Sequence, residues 1–155
     1  MVRGGESRVH SVLLAALEAG DAELLAVQDG ARPLTTPELI DEVIALAERC
    51  GAAAPAVAVK DTVKAVNSDD TVERTLDRST LRAIQTPQVF QADLLKAALQ
   101  AALESGAEIT DDCSAVERLG KTVYLTEGDE ANLKITTPTD LILAEALLRA
   151  REDGL

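Results

Sequence analysis

The chain has 155 residues, enough for one domain with a real core and too few for two comfortable ones. Its 15 Lys and Arg stand against 27 Asp and Glu, a formal net charge of -12 that argues against DNA or RNA as a partner, because neutralising a phosphate backbone needs a cationic surface. Hydrophobic residues make up 46% and aromatics only 1%, so the core has to come from Leu, Val, Ile and Ala, which suits helices packed closely on a sheet.

Small phosphorylated substrates are still allowed, since a local Arg, Lys or metal ion can meet a few charges. Cys50 and Cys113 do not have zinc-ligand spacing and His10 is the sole histidine, so two reduced cysteines are expected. No apolar run reaches the roughly 18 residues of a membrane span, and the first eleven residues are too polar for a signal peptide. A cytoplasmic protein with no membrane partner is the expectation.

Ser7 to Leu17 reads as a helix that stops at Gly20, with Val9, Val12, Leu13, Ala16 and Leu17 as its apolar stripe. Glu23 to Val27 reads as a strand whose continuous apolar run is of the kind a parallel sheet buries on both faces. It leads into the polar cluster Gln28-Asp29-Gly30-Ala31-Arg32-Pro33, at the strand end where ligands of open α/β sheets bind. A second helix begins at either Thr35, three residues before Glu38, or Thr36, which precedes Pro37; it ends at Gly51. Ala52 to Val59 is the next strand, and this order of elements predicts an α/β fold.

From Lys60 onward the pattern changes. Asp61 to Val66 and Thr71 to Leu76 read as two β segments around the polar turn Asn67-Ser68-Asp69-Asp70. Such a hairpin, about 61–76, has little apolar surface and is expected to be an arm that packs on a second subunit. Asp93 to Ser105 is a helix ended by Gly106, and a shorter helix follows Thr110, whose hydroxyl can cap it ahead of Asp111 and Asp112. Thr122 to Thr126 and Leu133 to Thr136 are extended candidates. The last helix starts at Thr137-Pro138-Thr139-Asp140 and carries Leu141, Ala144, Leu147 and Leu148 on its expected inner side.

Gly4-Gly5-Glu6-Ser7-Arg8 with Ser11, Asp29 to Pro33, Asp77-Arg78-Ser79, Gln85-Thr86-Pro87-Gln88, Thr110-Asp111-Asp112 and Asn132-Leu133-Lys134-Ile135-Thr136 occur in one order, each beside the end of a predicted element. Together they closely resemble the conserved blocks of the 2-C-methyl-D-erythritol 4-phosphate cytidylyltransferase family, over essentially the whole chain. The resemblance implies a Rossmann-like nucleotidyltransferase sheet within residues 1–155, a β-hairpin dimerisation arm, and transfer of a cytidylyl group from CTP to the sugar-alcohol phosphate. It assigns Gly5, Glu6 and Ser11 to the cytosine, and Asp29 to the sugar hydroxyls, the acceptor phosphate and Mg²⁺. Lys134 falls to the acceptor beside the reacting centre, while Arg78, Thr86 and Thr110 form the phosphate cradle, Arg78 reaching in from the partner of a homodimer. Arg32 is expected to brace its loop.

Each assignment has a plainer counterpart. Asp29 is also a natural turn residue, Arg78 can pair with Asp77 or Asp93 at the surface, and both threonines can cap helices. The family pattern opens with a β-strand and a cationic glycine-rich loop, whereas this sequence enters it at Gly4-Gly5; Gln28-Asp29-Gly30 also stands where His, Asp and Ala are usual. On that basis the chain is expected to be the C-terminal two-thirds of the pattern, inactive alone and complemented by an N-terminal segment. A fragment of a normal enzyme, one piece of a split enzyme and a noncatalytic dimerisation or binding remnant all stay open, as does ribitol 5-phosphate as the acceptor.

Overall fold

The structure is a computed structural model and describes residues 2–154; Met1 and Leu155, the ends of the expected 1–155 domain, lie outside the described residues. Helix starts follow local chemistry. Ser7 accepts the His10 amide on its hydroxyl at 3.1 Å and launches α1 (Arg8–Glu18), which is followed by β1 (Leu24–Val27). Of the two candidate caps for α2 (Pro37–Cys50), Thr36 is the one used: its hydroxyl accepts the Leu39 amide and Pro37 occupies the first turn, where no amide is missed. Gly51 ends α2 at φ 88°, a left-handed conformation that favours glycine, and the chain turns directly into β2 (Ala52–Ala58).

The hairpin consists of β3 (Lys64–Val66) and β4 (Val72–Thr75), paired only with each other. A 3-10 turn at Arg78–Thr80 leads to β5 (Arg82–Ile84) and β6 (Gln88–Gln91), then α3 (Ala92–Ser105), α4 (Asp112–Arg118), β7 (Tyr124–Glu127) and α5 (Pro138–Glu152).

In the main sheet β2 is central. It pairs in parallel with β7 along one edge and antiparallel with β6 and β5 along the other; β6 then pairs antiparallel with β1. The register on the β5/β6 side changes abruptly. Ala53 faces Val89 and Ala56 faces Ile84, so Ala54 and Pro55 lie opposite the four residues Gln85 to Gln88. This bulge explains how a proline sits in a central strand: the Pro55 carbonyl accepts the Gln85 amide at 2.8 Å, so its missing N–H faces the place where the ladder is already interrupted. The Thr86–Pro87 peptide within the bulge is cis.

Helices cover both faces. Val43 and Ala47 of α2 pack on Ala53 and Val89, while α1, α3 and α4 bring Leu13, Leu95, Leu99 and Val116 onto Ala52, Ala54 and Phe90. The small side chains of β2 let the layers approach closely, as the scarcity of aromatics implied. Tyr124, the sole tyrosine, lies half-exposed on β7 at the margin of the sheet.

Several expectations need correction. β1 is not a strand buried on both faces of a parallel sheet: its neighbour is antiparallel β6, and Ala26 is exposed while the rest is half-buried. Leu133 to Thr136 forms no strand, because only one bond, Ile135 amide to Ala31 carbonyl at 2.8 Å, ties it to neighbouring backbone. Thr110 is not the cap of α4; Asp111 is, with Ser114 completing a capping box. On α5 the inner line is Ala144 with half-buried Leu147, whereas Leu141 and Leu148 are about half exposed, because the helix leans on the body along one narrow row.

Candidate active site

Three loops converge beyond the sheet: the one after β1, the β5/β6 bulge, and the one between β7 and α5. The Asp29 amide donates to Thr86 Oγ1 at 3.0 Å, joining the first two. Lys134 Nζ reaches Asp29 Oδ2 at 3.1 Å, joining the third. Asp29 is 25% and Lys134 48% exposed, so the pair is open to a ligand rather than sealed in the core. Arg32 Nε approaches the same carboxylate oxygen at 3.4 Å without hydrogen-bond geometry, and Arg32 Nη1 donates to the Asn132 carbonyl at 2.6 Å. Arg32 therefore braces its loop while adding positive potential behind Asp29.

The support beneath consists of buried amides. Asn132 donates from Nδ2 to the Thr86 carbonyl at 2.9 Å and accepts the Thr35 hydroxyl on Oδ1 at 2.8 Å. Gln85 donates from Nε2 to the Asp129 carbonyl at 2.8 Å and accepts the Asp129 amide at 3.2 Å. Gly128 is required at this crossing: a Cβ there would lie 2.7 Å from Gln85 Oε1 and 2.8 Å from the Ala56 carbonyl carbon. Gln28 closes the first loop through Thr35 Oγ1 at 2.9 Å. Gly30 meets nothing within 4 Å of a built Cβ, so no packing demands glycine there.

The glycine-rich entry to α1 is folded back on its helix. The Gly5 amide donates to Ser11 Oγ at 3.0 Å, Ser11 Oγ donates to the Ser7 carbonyl at 2.8 Å, and the Glu6 amide meets His10 Nδ1 at 3.2 Å. A Cβ on Gly5 would strike the His10 ring at 2.3 Å, which is the steric reason for glycine at this position. Ser11 also lines an apolar groove of about 390 Å³ with Val12, Leu25, Val27 and Gln28, next to Asp29.

A second polar group ties this entry to the rest. Arg8 forms a two-point pair with Asp112 (Nη2–Oδ2 2.6 Å, Nη1–Oδ1 3.1 Å), whose side chain is fully buried at the start of α4. Gln88 Nε2 donates to Asp111 Oδ2 at 2.8 Å, and Gln88 Oε1 accepts the Asp112 and Cys113 amides. Burial works against the Arg8 charge, but the hydrogen bond and charge of Asp112, then Asp29 and Asp111, outweigh it and raise the Arg8 pKa. Burial, reinforced by Asp111, Glu117 and Asp112, pushes the Cys113 thiol far up, so it offers no reactive thiolate.

Of the residues singled out in the sequence, the structure gathers Asp29, Thr86 and Lys134 into one cluster and sets Ser11 at the neighbouring groove. Gly5 and Glu6 are held on α1. Thr110 is exposed, 3.5 Å from Ser114 Oγ. Arg78 is not in the cluster: it is exposed on the 3-10 turn and donates to the Lys60 carbonyl, instead of pairing with Asp77 or Asp93. Asp77 instead accepts the Ser79 amide and hydroxyl, which depress its pKa. The supporting roles of Gln85, Gln88, Asn132 and Arg8 have no composition or spacing signal; their membership of the quoted motif blocks was the only pointer.

Residues 1–150 match the family described as IspD, 2-C-methyl-D-erythritol 4-phosphate cytidylyltransferase. The chain is 47% identical over 148 residues to the protein of that name from Geobacillus kaustophilus, and 49% identical over 153 residues to that from Desulforamulus reducens. These alignments cover 96% and 97% of this chain but 64% and 65% of the relatives, so the chain spans just under two-thirds of their length. The crystal structure of the Thermus thermophilus protein of the same name superposes with a TM-score of 0.85 at 41% identity, covering 96% of this chain and 72% of that one. With a family match across nearly its whole length and these identities, the chain belongs to the 2-C-methyl-D-erythritol 4-phosphate cytidylyltransferase family.

Proposed function

We propose that this chain supplies the acceptor side of a cytidylyltransferase that converts CTP and 2-C-methyl-D-erythritol 4-phosphate to the CDP-linked alcohol and pyrophosphate. The observation that carries the reading is the half-open pair of Lys134 and Asp29 at 3.1 Å, seated against the Thr86 hydroxyl. An oxygen of the acceptor phosphate attacks the α-phosphorus of CTP; the new P–O bond forms as the bond to the bridging oxygen breaks, and pyrophosphate leaves with that electron pair. No covalent intermediate on the protein is needed, so positioning and charge compensation do the catalysis.

In this scheme Lys134 neutralises the attacking phosphate, and Asp29 orients a hydroxyl of the sugar alcohol. Thr86 accepts the Asp29 amide and keeps its own proton for a phosphate oxygen. Thr110 and the partner subunit's copy of the arm turn at Arg78 complete the phosphate cradle in a homodimer; Gly5, Glu6 and Ser11 receive the cytosine. Among the described residues no group of three or more His, Cys, Asp or Glu is placed to hold a metal. Magnesium nevertheless fits a single carboxylate supplemented by substrate phosphates, and the cations at Asp29 engage Oδ2, leaving Oδ1 for it. When bound, the ion would shield and polarise the triphosphate. The free edge of β1 and the apolar groove beside it suit pairing with a family-like N-terminal segment that brings a cationic loop to the triphosphate. Among the described residues no helix is long and apolar enough to cross a membrane; a cytoplasmic setting is part of the proposal.

The test is pyrophosphate release from Mg-CTP and the acceptor, by the chain alone and by the chain supplied with that segment. Turnover is expected only in the second case. There Lys134→Ala should lower kcat by about 10² to 10³ while changing stability by less than about 0.5 kcal/mol. Wild-type kcat and KM in that variant would remove Lys134 from the site, and faster turnover with ribitol 5-phosphate would reassign the acceptor.

A further inference from the structure

The site stands on three segments far apart in the chain, and one residue belongs to the third and bonds to the other two. Asn132 is fully buried. Its Nδ2 donates to the carbonyl of Thr86, the residue whose hydroxyl receives the Asp29 amide. Its Oδ1 accepts from Thr35, which holds the far end of the Asp29 loop. Its own carbonyl accepts from Arg32 at 2.6 Å, and two residues later the chain presents Lys134. We infer that Asn132 is the positioning residue of this site, fixing Asp29, Thr86 and Lys134 relative to one another without touching substrate. The inference rests on the functional reading only in naming what is positioned.

The chemistry is specific to an amide. Asn132 must donate on one side and accept on the other, at a place closed to bulk solvent. Aspartate keeps the size and the acceptor; ionised, it turns the donor facing the Thr86 carbonyl into a repelling oxygen, whereas protonated it can donate again. Leucine keeps the volume and loses both functions. A residue that merely filled space would tolerate leucine well and aspartate poorly, so the leucine variant separates the two roles.

The experiment is amide hydrogen exchange by NMR on the full chain, wild type against Asn132→Asp and Asn132→Leu, from pH 4.5 to 8 and expressed as protection relative to intrinsic rates. The reporting amides are Asp29, bonded to Thr86 Oγ1, and Ile135, bonded to the Ala31 carbonyl; Ala53 and Ala54 of β2 monitor the core. At pH 8 both variants should lose about tenfold or more of the protection at Asp29 and Ile135 with the β2 amides unchanged. Lowering the pH should restore protection in Asn132→Asp and not in Asn132→Leu. Retained protection at both amides, or identical behaviour of the two variants at every pH, overturns the proposal. If Asn132→Asp also loosens β2, Asn132→Leu decides, since it removes both hydrogen-bonding functions without burying a charge: selective loss at Asp29 and Ile135 supports the inference, and no loss overturns it. Titration of wild type with inorganic phosphate, read at the Lys134 ammonium signal, separately tests the functional reading; an unmoved signal counts against that reading while exchange still decides the role of Asn132.

Discussion

The body and the hairpin arm use their backbones in contrasting ways. In the body β2 sets Ala52, Ala53 and Ala54, all fully buried, between helices on both faces. In the arm every residue of β4 is exposed, and Val66 and Val72 are more than half exposed. The arm keeps its shape by its own ladder and turn: the Asn67 amide to the Thr71 carbonyl at 2.9 Å, the Leu76 amide to the Val63 carbonyl at 3.0 Å, and Lys64 Nζ to Thr75 Oγ1 at 2.7 Å. A two-stranded hairpin with so little buried apolar surface is marginal in water. The body thus sets its own conformation, whereas the arm has a conformation with capacity left over for contact. The pair of Asp29 and Lys134 sits on the first kind of structure, and Arg78 sits at the root of the second.

The sharpest way to break this contrast is to cut an apolar side chain back to alanine in each region. Phe90→Ala, in the fully buried core, should cost about 3 to 5 kcal/mol in urea unfolding followed by far-ultraviolet circular dichroism. Val72→Ala should change the same midpoint by less than about 0.5 kcal/mol. Comparable losses would mean that the arm is part of the core.

Arg8→Ala probes the seam between α1 and α4 within the body. It leaves the buried Asp112 carboxylate without its cation, and because Arg8 is itself 42% exposed, the expected loss is roughly 1 to 3 kcal/mol, short of that for a fully buried pair. Stability equal to wild type would place the pair among surface ion pairs of no consequence.

The smallest effect belongs to α5, the helix that least touches the body. The Thr136 and Thr137 amides, then the Thr137 and Thr136 hydroxyls, hold the Asp140 carboxyl below its usual value of 3.8. A lowered folded pKa contributes stability that is full above the unfolded value and is lost as pH falls through the folded one. The start of α5 should therefore loosen only below pH 3.8, seen in the Thr136 and Thr137 amide shifts, and Asp140→Asn should abolish that acid step. An equal step in the variant would assign it to another group.

What the sequence made legible was mostly local. Thr36-Pro37, Thr137-Pro138 and the glycines at 51 and 106 mark their helix ends because caps and left-handed turns are decided within a few residues. The convergence of Asp29, Thr86 and Lys134 was reached through resemblance, since nothing in spacing tells that residues 57 and 105 positions apart will meet. The burial of α5 escapes the sequence for a related reason: Leu141 and Leu148 have the periodicity of an inner face, but periodicity gives a stripe and not what lies opposite it. The bulge at Gln85 to Gln88 was invisible because no strand is read between Leu76 and Asp93: β5 and β6 are short pieces interrupted by Thr86-Pro87, and only their shared neighbour β2 aligns them along one edge.

With no tryptophan and a single tyrosine, the chain places its only strong fluorophore, Tyr124, on the outer margin of β7. Intrinsic emission consequently watches the rim of the molecule and not its buried core.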